Sequence, residues 1–132
     1  MEKIGVMSPE WAEGYKQLWN ANSDTRDGTR DLDMLIEMRL DEPEPRAVQI
    51  DVKAGEAVYG GAPLPDRKPD FVLTAKRENW KRVATGDINP VTAITVRKIH
   101  FVGPLRVAMS HMPALTTGLR LVGDVPGLDW EI

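Results

Sequence analysis

The chain has 132 residues, with 17 lysines and arginines against 20 aspartates and glutamates, a net charge of −3 and no cysteine. That length fits one domain able to bury a core without staples. The missing cysteines exclude disulfides and thiolate metal sites, and the acidic balance argues against a nucleic-acid binder.

No apolar run approaches the roughly 18 residues that cross a bilayer, and no secretion signal is visible. A single domain spanning 1–132 in the cytoplasm is the expectation. The charge is uneven: residues 1–70 carry 9 basic and 15 acidic side chains, and residues 71–132 carry 8 and 5. A solvated face or pairing between the halves accounts for this. A sharper reading is a basic face for anionic head groups, with transient contact to an anionic membrane surface.

Ser8-Pro9-Glu10 predicts a helix start, with a capping hydroxyl, a first-turn proline and an acid near the positive end of the dipole. Trp11, Tyr15, Leu18 and Trp19 then form one apolar stripe on a helix over about 9–21. Residues 23–33 read as a polar connector. From Met34 the period changes: Met34, Ile36, Met38 and Leu40 alternate with more polar positions, as in a strand with one face buried. Pro43 and Pro45 end it. Val48, Ile50 and Val52 predict a second strand, and Ala54-Gly55 a tight reversal into a third at Ala57–Tyr59. These three read as an antiparallel meander.

Residues 60–70 hold three prolines and read as a loop. A fourth strand is expected at Phe71–Thr74, with Thr74 capping a helix from Ala75 to Thr85 that turns Trp80, Val83 and Ala84 inward. Gly86 supplies a left-handed stop. Asn89-Pro90 starts a short helix to about Thr95, and Ile99 and Phe101 mark a fifth strand ended by Gly103-Pro104. Leu105, Met109, Met112, Thr116 and Leu119 repeat at helical spacing, but Pro113 predicts a kinked helix or two short ones. The tail, 123–132, reads as irregular.

Reactive chemistry is sparse. His100 and His111 lack the partners of a zinc site or a nucleophile pair. Asp24, Asp27, Asp31 and Asp33 are spaced unlike a calcium loop, and Arg26 and Arg30 intervene. Gly60-Gly61 is too short to cradle a phosphate. No cofactor or metal is expected. What remains is apolar: six methionines and four tryptophans. Methionine suits either plain core filling or a surface that repacks around varied guests. The tryptophans fit a core or a pocket wall equally.

The run from Asp70 to Leu115, read as a whole, resembles the type-2 sterol carrier protein family. The resemblance rests on Asp70, Phe71, Leu73 and Thr74; on Trp80, Val83 and Gly86; on Asp87, Pro90 and Ala93; on Lys98, Ile99, Phe101 and Gly103; and on Leu105 and Met109. Upstream, IDVKAGEAVYG is similar to the family's hairpin, so the resemblance covers about 34–122. Its peroxisomal members carry a C-terminal address that Asp129-Trp130-Glu131-Ile132 does not match.

The resemblance implies an α+β fold, a five-stranded mostly antiparallel sheet covered on one face by helices, with an apolar cavity between the layers. It implies no catalytic residues, no cofactor, and noncatalytic binding or transfer of a fatty acid, acyl chain, sterol or phospholipid. The expected wall comprises Ile36, Met38, Trp80, Val83, Ile94, Phe101, Met109, Met112, Leu115 and Leu119. An interaction or regulatory module with a filled core stays open, as does an enzyme or accessory domain for a lipidic substrate. The sequence leaves oligomeric state unspecified.

Overall fold

The computed structural model describes residues 2–132. A short strand β1 (Ile4–Gly5) precedes helix α1 (Pro9–Ala21), whose start is capped as expected: Ser8 Oγ accepts from the Trp11 amide at 3.2 Å, with proline in the first turn. The expected polar connector instead contains helix α2 (Ser23–Gly28). Asn22 makes it possible, its side-chain oxygen accepting from the amides of Asp24 (2.9 Å) and Thr25 (3.3 Å).

Strands β2 (Asp33–Leu40), β3 (Arg46–Lys53) and β4 (Glu56–Gly61) form the expected meander. The β3–β4 reversal places Ala54 at φ 49° and Gly55 at φ 83°. A side chain at Gly55 would also meet the Arg26 carbonyl at 2.1 Å, so glycine is required there by backbone and by space. Strand β5 (Phe71–Ala75) then pairs parallel with β2, giving the sheet order β4-β3-β2-β5-β6 once β6 (His100–Val102) is added antiparallel to β5.

Register decides what faces inward. Ile36 opposes Ile50 and Phe71, Met38 opposes Val48 and Leu73, and Phe101 opposes Leu73. With a period of two, these side chains share one face. Helices α1, α3 (Arg77–Ala84), α4 (Pro90–Thr95), α5 (Leu105–Ser110) and α6 (Met112–Arg120) gather on that face. Thr74 does not cap α3, as it belongs to β5; Lys76 takes the cap position without a side-chain bond. Gly86 has φ 82° and stops α3, while Asn89 Oδ1 accepts from the Val91 amide at 2.8 Å to start α4. The long C-terminal helix divides at His111, leaving Pro113 in the first turn of α6, where its missing N–H costs nothing. After a single 3-10 turn at Leu121–Gly123, strand β7 (Leu128–Asp129) returns to pair parallel with β1, so the tail is less irregular than its composition implies.

Three tryptophans fix the layers. The indole N–H groups of Trp11, Trp19 and Trp80 donate to the carbonyls of Val122 (3.1 Å), Gly55 (3.0 Å) and Arg39 (3.0 Å). All three rings are buried, so each bond also removes a desolvation penalty.

The outer face of the sheet departs from simple alternation. Glu37, Gln49 and Asp51 are buried there, because the 62–70 loop crosses β3 and β2 to reach β5. The Leu64 amide donates to Gln49 Oε1 at 2.8 Å, and Gln49 Nε2 donates to Glu37 Oε1 at 2.8 Å. Arg67 pairs with Asp51 at 2.5 Å, and Asp70 Oδ2 accepts from the Leu35 amide at 2.8 Å. The loop is thus strapped down by polar side chains that a strand pattern assigns to solvent.

Candidate functional site

The space between sheet and helices is small. A void of about 30 Å³ lies among Tyr15 and Trp19 of α1, Ile36, Met38, Phe71, Leu73 and Phe101 of the sheet, and Ile94, Ala108, Met112, Leu115, Gly118 and Leu119 of the helices. That is room for about two water molecules, and about a tenth of the smallest ordinary ligand pocket. The lipid-sized hollow expected from the sequence is therefore closed.

A second space opens at the surface between α4 and α5. This groove of about 250 Å³ is lined by Val91, Ile94, Thr95, Phe101, Leu105, Ala108, Met109 and Met112. Leu105 and Met109 are 59% and 60% exposed along it. Ile94, Phe101, Ala108 and Met112 belong to both linings. Groove and void thus adjoin at these four side chains.

Of the ten wall residues read from the sequence, Ile36, Met38, Leu115 and Leu119 line the void, Met109 lines the groove, and Ile94, Phe101 and Met112 line both. Trp80 and Val83 line neither; both are fully buried, and the Trp80 indole is committed to the Arg39 carbonyl. Sequence reasoning missed Tyr15, Trp19, Phe71, Leu73, Ala108 and Gly118. The stripe on α1 shows that Tyr15 and Trp19 face inward, but no periodicity says what they face. Phe71 and Leu73 share the inward parity of β5, which was available as a signal. Gly118 carries none: its role is to let α6 approach α1, since a Cβ there would meet Trp19 Cζ3 at 2.9 Å.

Two polar contacts hold the walls. Tyr15 donates its phenolic hydrogen to the Gly118 carbonyl at 2.6 Å, and burial pushes this phenol above its usual range. His111, at the α5–α6 break, places Nδ1 2.8 Å from the Val107 carbonyl and Nε2 3.0 and 3.1 Å from the two Asp31 oxygens. Both neighbours are acceptors, so only the imidazolium satisfies both. The Val107 carbonyl first, then Asp31, raises the His111 pKa against the opposing effect of burial. His100 is exposed on β6. Among the described residues, no group of three or more histidines, cysteines, aspartates or glutamates could hold a metal ion. No helix of the described residues is long and apolar enough to cross a membrane.

Residues 15–116 match the model of the SCP-2 sterol transfer family. The chain belongs to this family. The match takes in Tyr15 and Trp19, beyond the 34–122 span of the sequence resemblance, and stops short of Gly118 and Leu119. The fold is shared with a crystal structure of sterol carrier protein 2 at TM-score 0.81, 18% identity, 91% of this chain and 98% of that one. It is shared with a conserved hypothetical protein of Thermus thermophilus, described as possibly a sterol carrier protein, at TM-score 0.74, 19% identity and 92% of each chain. The UbiJ-SCP2 ubiquinone synthesis protein follows at TM-score 0.57, 10% identity, 87% of this chain and 93% of that one. No curated protein matches the chain. Within this SCP-2 fold, the groove and void occupy the junction of α4, α5 and α6 with the sheet.

Proposed function

We infer that this protein binds and transfers a hydrophobic molecule noncatalytically: a fatty acid or other acyl chain, a sterol or a phospholipid. The observation that carries this is the wall shared by void and groove, formed by Ile94, Phe101, Ala108 and Met112. A guest enters at the exposed groove between Leu105 and Met109, displaces that wall and extends toward Ile36, Met38, Leu115 and Leu119. The flexible thioether of Met112 suits such repacking. Membership of the SCP-2 family supports the ligand class. The noncatalytic reading is supported by His111, both of whose ring nitrogens are held, and by a groove lining that is apolar but for Thr95.

A second reading is favoured by the size of the void. At about 30 Å³ the layers are nearly solid, as in an interaction module that has lost its guest. Titration with a fluorescent fatty acid, read alongside native mass spectrometry of freshly purified protein, separates the two. Saturable uptake with one molecule retained per chain is expected. Absence of saturation across chain lengths supports the solid module and removes the carrier reading.

A further inference from the structure

Among the described residues, five of the seven large apolar side chains that stand exposed fall between Val91 and Met109: Val91 (38%), Val96 (54%), Val102 (52%), Leu105 (59%) and Met109 (60%). Three of them, Val91, Leu105 and Met109, border the groove. The charge there is one-sided. From Ile88 to Gly123 there is no aspartate or glutamate, although the chain as a whole carries −3. Arg97 and Lys98 follow the end of α4, and Arg106 is the second residue of α5. All three are exposed, and none takes part in an ion pair among the described residues. Arg97 holds φ 62°, a left-handed conformation that a bulky residue rarely adopts.

We propose that the α4–β6 turn and α5 form a docking surface for an anionic phospholipid bilayer, placed at the mouth of the groove. Basic side chains near an anionic leaflet attract it over about a Debye length. Once at the surface, Val96, Leu105 and Met109 enter the head-group zone and exchange water for lipid. An acidic protein surface would satisfy the cations and leave these apolar side chains in water. The bilayer satisfies both. This proposal rests on the carrier reading, since it places the guest's source against the guest's entrance.

Sedimentation with phosphatidylcholine vesicles containing about 30% phosphatidylserine tests the charge requirement. The wild-type protein pellets with them, and raising salt from about 50 to about 300 mM releases it. Arg97→Gln/Lys98→Gln/Arg106→Gln binds about a hundredfold more weakly, at about fivefold for each basic side chain near the surface. Lys53→Gln/Lys68→Gln/Lys76→Gln, which removes equal charge elsewhere, keeps the wild-type level. Equal binding to pure phosphatidylcholine, or equal losses in the two triple variants, overturns the proposal.

The cysteine-free chain also allows a single environment-sensitive label. A label on Val96→Cys shifts to the blue with anionic vesicles, and one on Val58→Cys, on β4, does not. The reverse pattern overturns the assignment. So does a shift at Val96→Cys that needs only raised protein concentration, which identifies a second copy as the occupant. Fatty-acid uptake without vesicles tests the carrier reading separately. The cation-free variant retains uptake if the three residues serve docking; loss of uptake in a folded variant makes them part of the ligand site and overturns docking. Wild-type vesicle binding without fatty-acid uptake supports the surface and removes the carrier reading.

Discussion

Ala108 is 2% exposed and presents one methyl group to both the void and the groove. Lengthening it fills the boundary that a guest has to cross. Ala108→Leu is expected to weaken fatty-acid uptake at least tenfold, at an overpacking cost of about 1–3 kcal/mol. Paired titration and urea unfolding check this, and undiminished uptake would show that the guest takes another route. Residue-level legibility followed the physics of each side chain. Ile36, Met38 and Phe101 were readable because strand parity is rigid. Trp80 was read as wall because a buried indole and a pocket indole share one helical pattern; its ring lies outside both spaces, with its N–H on the Arg39 carbonyl. Gly118 is silent in sequence, since its meaning lies in the proximity of Trp19.

Among the elements, the α5–α6 break adjoins the groove, with Met109 and Met112 lining it from either side. His111 ties it to the segment between α2 and β2 through Asp31. Folding raises the His111 pKa above its ordinary 6.5, so the protonated form is the one the fold stabilises. The resulting stability is fully present below about pH 6.5 and is lost as pH rises through the folded-state value. Asp31 is 70% exposed, which screens the pair and keeps its effect modest. Asp31→Asn is therefore expected to lower the melting temperature at pH 6 and to converge on wild type at pH 9. A gap that widens with pH would refute the imidazolium assignment. Amides of 105–112 should also be less protected than those of 77–84, and gain protection when fatty acid binds. Most elements were legible from caps and periods. The division near Pro113 was expected, although the break falls at His111, because proline is tolerated in a first turn. Helix α2 was missed: residues 23–33 were read as a polar connector, because its cap, Asn22, follows directly on the end of α1.

At the scale of the whole molecule, the fold was legible through the family resemblance that the turns and apolar positions carry, whereas the degree of filling was not. Volume depends on how side chains from two layers interdigitate, and a one-dimensional pattern carries no measure of that. The closed void makes a guest's chain length the decisive variable. Each buried methylene contributes about 0.8 kcal/mol, so lengthening a saturated fatty acid by two carbons should tighten binding roughly tenfold. The gain should stop once the chain exceeds the space that the wall can yield. Calorimetric titration across a homologous series checks this; a flat series would mean that the head group, not the tail, is recognised. The outer strap of the 62–70 loop ties down the sheet face that lies away from the helices.

The pairing of β1 with β7 sets Ile4 beside Leu128 and Gly5 beside Asp129. Sequence positions more than a hundred apart thus lie within one strand spacing, about 4.8 Å. A few added residues would span that distance and close the backbone into a ring, leaving the groove and the sheet untouched. Such a circle would have fewer denatured arrangements to lose on folding.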